Sequence, residues 1–330
     1  MMSYTGHEFI EELKRLEQRL SYELRKTSVE LFAESLWGEG KVMTIPVNTM
    51  DKSKGHGDTL SVKIVIPTFC QANCEFCFNK HTWTTQQHDF GRFLFNLRRS
   101  LYIIKESLTD RKITIDITGN EPTFTPKLSD VLDVLKSFKS ESLVDKVVLT
   151  TNGFNLWAFD DLDPVDIVNI SVHDYRFEKR KKIFRTRVIP TNAELESMCD
   201  RFNTTAVAVC CDDYEDFEDF VWNFADFARL TGFMNARIRT DYLGEGGIFY
   251  DAFKDAEIIS APGLDKKLLN INGFNVDLYR GIKDLTSCII GPEVVIDDDG
   301  CLYLDYNKRY PIRAEHIREF NDNIFVKKLW

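Results

Sequence analysis

Three cysteines share one short segment, Phe69-Cys70-Gln71-Ala72-Asn73-Cys74-Glu75-Phe76-Cys77-Phe78, at offsets of four and three residues. Thiols spaced this closely on one loop can converge on a single metal centre. Four thiolates normally complete an iron–sulfur cluster or a structural zinc site, so a trio leaves one position open for another ligand or a substrate. Two further readings stand beside that one: a structural zinc completed by His81 or His88, and buried thiols with no metal. The loop follows directly on Val62, Ile64 and Ile66, a predicted strand that ends at Pro67. Loops at the C-terminal ends of barrel strands are where that architecture builds active sites.

Later strand ends carry more chemistry. Thr118-Gly119-Asn120-Glu121-Pro122-Thr123 follows the second predicted strand, where Glu121 can accept from an ammonium group. Thr150-Thr151-Asn152-Gly153 follows the third. Asn169-Ile170-Ser171-Val172-His173-Asp174 follows the fourth and puts Ser171 and His173 on one face, and Arg239 closes the sixth. Taken singly, Asn-Gly is a turn, a lone histidine is more often structural, and Glu121 or Arg239 reads equally as a surface charge.

Jointly they carry a resemblance. Cys-x-x-x-Cys-x-aromatic-Cys, here Cys70, Cys74, Phe76 and Cys77, resembles the signature of the radical S-adenosylmethionine (SAM) superfamily. That resemblance implies a [4Fe–4S] cluster held by Cys70, Cys74 and Cys77, with SAM on the fourth iron through its amino and carboxylate groups. It implies reductive cleavage of SAM to a 5′-deoxyadenosyl radical that abstracts a hydrogen atom from a substrate. Gly119, Asn120, Glu121 and Pro122 resemble the Gly-Gly-Glu-Pro stretch that holds the SAM amino group, with Asn120 in place of the second glycine. Thr151 and Asn152 resemble the Thr-Asn-Gly turn that faces SAM. Ser171 and His173 stand where ribose or carboxylate contacts arise, Arg239 where it would meet the SAM carboxylate or the substrate, and Phe76 completes this cofactor set. The implied partners are a peptide or small-molecule substrate and an electron donor such as a flavodoxin or ferredoxin.

The elements that must position these residues alternate regularly. After the first strand, the pattern predicts a helix from about Phe90 to Ser107 and strands at Ile113–Ile117, Val147–Thr150, Ile167–Val172, Ala206–Cys210 and Ala236–Thr240. Helices intervene at Pro126–Phe138, Thr191–Phe202 and Asp216–Thr231. Repeated β/α units require crossovers and a parallel sheet, so the fold class is α/β, a partial (β/α)6 TIM-like barrel. Residues 1–58 read as an N-terminal helical extension and linker, 59–245 as the barrel, and 246–330 as a C-terminal appendage with a β-hairpin around Asp297-Asp298-Asp299-Gly300. The appendage resembles the MoaA-like, SPASM and Twitch branch, which carries auxiliary clusters on such a hairpin. Here Cys288 matches, but Gly291 and Asp305 replace the other thiolates and Cys301 is off pattern, so the auxiliary site reads as degenerate. That leaves one cluster, with the hairpin expected as a lid or plug at the barrel mouth and the tail from Tyr310 packed on the barrel.

Composition narrows the class further. The 330 residues carry a net charge of −10, which disfavours electrostatic capture of nucleic acid. No run of about 18 apolar residues occurs and no secretion signal opens the chain, which reads as a cytoplasmic protein with no membrane partner. Eight cysteines in such a chain favour thiolate chemistry or burial over a disulfide framework. The competing class is a non-catalytic metal-binding or interaction protein holding a structural zinc on the same fold. Glu121 and Thr151-Asn152 weigh against it, because zinc has no need of them.

Overall fold

The computed structural model describes residues 59–74, 76–77, 89–107, 112–210, 216–240, 247–261, 264–280 and 293–303. The expected N-terminal helices and linker, His81, His88, Cys288, Gly291, Asp305 and the tail from Tyr310 lie outside the described residues, as does most of the Leu243–Gly247 loop.

Six parallel strands form the scaffold: β1 (Thr59–Ile66), β2 (Lys112–Gly119), β3 (Lys146–Thr151), β4 (Ile167–Ser171), β5 (Thr204–Val209) and β6 (Asn235–Thr240). Five helices connect them: α1 (Phe90–Ser107), α2 (Leu128–Ser140), α3 (Phe177–Phe184), α4 (Asn192–Arg201) and α5 (Phe217–Thr231). Their ends follow local chemistry. Thr191 and Glu194 form a reciprocal capping box that starts α4, and Asp216 accepts from the Asp219 N–H to start α5.

Each strand splits its residues between two faces. Ile64, Ile115, Ile117, Val147, Leu149, Val168, Ile170, Ala206, Ile238 and their neighbours are fully buried against Phe93, Leu97, Val131, Leu135, Phe224 and Ala228 of the helices. Most of the alternate positions are polar. Lys63 pairs with Asp116 at 2.6 Å, Thr150 donates to Asp116, and Asn169 donates to Thr150, so a polar chain crosses β1 to β4 on the face turned away from the helices.

The sheet continues past the sixth strand, where the sequence pattern predicts an end to the alternation. After a short helix α6 (Gly247–Asp251), β7 (Ile258–Ala261), β8 (Leu264–Ile271) and β9 (Phe274–Arg280) follow, and β9 runs parallel beside β6. The expected hairpin exists as β10 (Glu293–Ile296) and β11 (Leu302–Tyr303), but it is no lid among the described residues. β10 pairs in parallel with β1, and the turn is pinned to α1, with Asn96 donating to the Asp299 carbonyl and Ser100 to the Gly300 carbonyl, both at 2.8 Å. The result is one mixed, mostly parallel sheet ordered β11-β10-β1-β2-β3-β4-β5-β6-β9-β8-β7. No helix among the described residues is long and apolar enough to cross a membrane.

Candidate iron–sulfur and SAM site

The cysteine loop leaves β1 and folds onto a small apolar cluster distinct from the main core. Ala72, Cys74, Phe184 and Ile189 are buried there, with Cys70, Phe76, Cys77, Phe154 and Phe177 packed against them. The Asn73 N–H donates to the Phe184 carbonyl at 2.8 Å, which fixes the loop to the end of α3. All three thiols are free of disulfide bonds. Cys70 Sγ accepts from the Ala72 N–H at 3.4 Å and from Asn152 Nδ2 at 3.7 Å. Burial pushes the Cys70 thiol up to about 11, and the charge of Glu121 adds to the rise.

Glu121 is 1% exposed at the end of β2. Its Oε1 accepts from the Thr123 N–H, the Thr123 hydroxyl and the Thr151 hydroxyl, and its Oε2 from the Asn152 N–H at 2.7 Å. Burial raises its pKa above the usual carboxylate value, against the pull of these donors. One carboxylate thus ties the ends of β2 and β3 together. Gly119 has a φ of +117°, and a Cβ there would stand 3.0 Å from Val65 Cγ1, so a side chain at this approach of β2 to β1 would be strained and crowded. Asn120 replaces a second glycine with a tether of its own. Its Nδ2 donates to the Thr68 carbonyl at 2.6 Å, joining the β2 turn to the chain two residues before Cys70. Pro122 is buried in the single 3₁₀ turn that follows.

His173 does not share a strand face with Ser171. The strand ends at Ser171, and a φ of +66° turns His173 into the apolar cluster, 4.9 Å edge-on to Phe76 and 5.0 Å from Phe184 between ring centroids. Its Nδ1 accepts from the Val209 N–H at 3.2 Å, and burial lowers its pKa to about 3, so the ring is neutral.

The structure therefore brings Cys70, Glu121, Thr151 and Asn152 into one hydrogen-bonded group beside Phe76 and His173. Ser171 and Arg239 hydrogen-bond none of them among the described residues. Sequence reasoning missed Thr123, Phe154 and Phe184. Thr123 was legible as a hydroxyl two residues past Glu121; the two phenylalanines carry no local signal. A cleft of about 380 Å³ lined by Lys146, Ile167, Thr204 and Asn235 lies at the opposite, N-terminal ends of the strands and holds none of these residues.

The donor set fits a [4Fe–4S] cluster, with three unbridged thiols and N–H donors turned toward Cys70 sulfur. Among the described residues no three His, Cys, Asp or Glu side chains are already gathered at metal-holding range.

Comparison with known proteins agrees on the iron–sulfur domain. Residues 54–189 match the family described as a 4Fe-4S single cluster domain. No curated protein matches the chain. Among solved structures it is similar to Streptococcus suis SuiB bound to precursor peptide SuiA, at 13% identity and a TM-score of 0.44 over 68% of this chain and 53% of that one. It is also similar to anSMEcpe with bound AdoMet and Cp18Cys peptide, at 13% identity and a TM-score of 0.48 over 77% and 76%. A third is methylornithine synthase PylB, at 9% identity and a TM-score of 0.37 over 61% and 58%. The chain spans about half the length of the SuiB structures it matches, 40% in one and 53% in others. Residues 54–189 thus carry a 4Fe-4S single cluster domain, and within it Cys70, Cys74, Phe76 and Cys77 stand as Cys-x-x-x-Cys-x-Phe-Cys, the pattern that resembles the radical SAM signature.

Proposed function

We propose that the chain is a radical SAM enzyme acting on a peptide or small molecule, with one cluster held by Cys70, Cys74 and Cys77. The observation that carries this reading is the double role of Asn152, whose side-chain amide reaches Cys70 Sγ while its backbone N–H holds Glu121 Oε2. A structural zinc loop has no use for a buried carboxylate wired to one of its thiols. When bound, the cluster and SAM supply a reductive cleavage that yields a 5′-deoxyadenosyl radical able to abstract hydrogen from a substrate.

The chain's own residues bind and orient. Glu121 Oε2 takes a single donor, against three at Oε1, and offers its open lone pair to the SAM ammonium. Gly119, Asn120 and Pro122 hold the turn that presents it, and Thr151 and Asn152 fix its carboxylate. Phe76, braced by His173, joins Ser171 and Arg239 in completing the SAM pocket. The electron comes from a flavodoxin- or ferredoxin-like donor in the cytoplasm.

Anaerobic reconstitution followed by dithionite and SAM tests the proposal. The expected outcome is about four irons per chain and formation of 5′-deoxyadenosine, both lost when Cys70, Cys74 and Cys77 are changed to alanine. Zinc alone in the native protein, or a full cluster in the triple variant, would overturn it.

A further inference from the structure

The acidic chain carries one strongly basic stretch, and it lies against the cysteine loop. From Asp174 to Arg187 there are seven basic residues against two acidic ones, in a protein whose net charge is −10. The excess is exposed. Arg176 is taken by Asp174 and Lys181 by Glu178, and Arg180 is buried beneath Phe177 and Phe227. Lys179, Lys182, Arg185 and Arg187 stand exposed at the surface of α3 and the turn after it.

The same segment touches the cysteine loop from its inner side. Phe177 and Phe184 of α3, and Ile189 just beyond, pack on Cys74 and its neighbours, and the Phe184 carbonyl takes the Asn73 N–H. The exposed cations therefore share α3 and its following turn with the residues that pack on the cysteine loop. Between Glu178, Lys181, Lys182, Arg185, Thr186 and Arg187 runs a cleft of about 510 Å³. Its lining has no apolar side chain to grip a hydrophobic partner and no aromatic ring on which a nucleic-acid base could stack.

We propose that α3 and residues 185–187 form the docking surface for an acidic one-electron carrier protein. This rests on the enzymatic reading above and adds the place where its electron enters. Electron-transfer complexes are small, transient and steered by charge, which suits a lining of cations without an apolar anchor. In a chain of net charge −10, a basic ridge focuses the approach of an acidic partner. Electron tunnelling falls steeply with distance, which favours a ridge on the helix that itself packs on the cysteine loop. In the step, one electron leaves the reduced carrier and enters the cluster, taking it from the 2+ to the 1+ level; the carrier is oxidised by one electron.

Stopped-flow reduction of the reconstituted holoprotein tests this, with loss of the cluster's visible absorbance as the readout. Reductants are an acidic flavodoxin in its fully reduced form and, separately, dithionite. A charge-reversed variant, Lys182→Glu with Arg185→Glu and Arg187→Glu, should be reduced by flavodoxin at least tenfold more slowly. Its dithionite rate should be unchanged, and the native flavodoxin rate should fall with added salt. A neutral triple, with glutamine at the same positions, should fall between and serves if the reversed protein does not fold. Equal flavodoxin rates in native and neutral proteins would overturn the proposal. So would flavodoxin rates that stay equal while binding of a poly-glutamate peptide is lost, which would assign the ridge to an acidic peptide. Failure of the native protein to take up a cluster or to cleave SAM with dithionite would instead count against the enzymatic reading.

Discussion

Glu121 is the residue on which the proposed SAM site turns, and its environment sets what a change there should do. Glutamine can keep the three donors at Oε1, but its amide nitrogen then faces the Asn152 N–H, donor against donor. Glu121→Gln should lower stability by about 1–3 kcal/mol and, with the ammonium's partner gone, weaken SAM roughly ten- to hundredfold while the cluster remains. Denaturation and anaerobic calorimetry read the two effects separately. Unchanged SAM affinity would reduce Glu121 to a tie between β2 and β3. His173 gives a second prediction. Its neutral buried ring has a pKa near 3 against 6.5 when unfolded, so the unfolded chain gains a proton first as pH falls. Stability from this group is present above pH 6.5 and drains away on acidification, by about 2 kcal/mol between pH 6.5 and 5. Asparagine tolerates the positive φ and can accept from Val209, so His173→Asn should flatten this slope in denaturant titrations at the two pH values. An undiminished slope would place the titration elsewhere.

At the scale of elements, the turn of the β10–β11 hairpin sits directly on α1. A Cβ on Gly300 would lie 2.4 Å from the Phe93 carbonyl oxygen and 2.7 Å from Asn96 Cβ, and its φ is +76°. Gly300→Ala should therefore cost more than about 2 kcal/mol by denaturation, and a cost under about 0.5 kcal/mol would mean the hairpin does not dock there. The first six strands and the helix Phe90–Ser107 were legible because alternation with a buried face leaves a strong pattern. Four features hid the rest. α3 reads Phe-Glu-Lys-Arg-Lys-Lys-Ile-Phe, too polar to show a helical stripe, and its two phenylalanines serve the cysteine loop. β8 breaks alternation with Lys267, which is buried because its ammonium donates to the Phe249 and Ala252 carbonyls at the end of α6. Asn272-Gly273, between β8 and β9, is a hairpin signal that the sequence does offer, obscured by the irregular stretch around it. The parallel seat of β10 beside β1 joins strands more than two hundred residues apart, and no local pattern specifies such a pairing.

Across the whole molecule, the sheet places the cysteine loop, the Glu121 turn and the Thr151-Asn152 turn at the C-terminal ends of three adjacent parallel strands, β1, β2 and β3. Parallel order makes this legible in advance, since successive strand ends must then share one rim. Contacts between turns were not legible: Asn120 to Thr68 and Asn152 to Cys70 depend on side-chain directions that spacing does not encode. The central claim is that three cysteines hold one cluster and leave one iron for SAM. The most direct measurement is electron–nuclear double resonance on the reduced, reconstituted protein with SAM labelled with nitrogen-15 at its amino group. A nitrogen-15 hyperfine coupling to the cluster is predicted, and it should vanish with the label or with SAM. A reduced cluster that binds SAM, as calorimetry would show, yet has no such coupling would contradict the account.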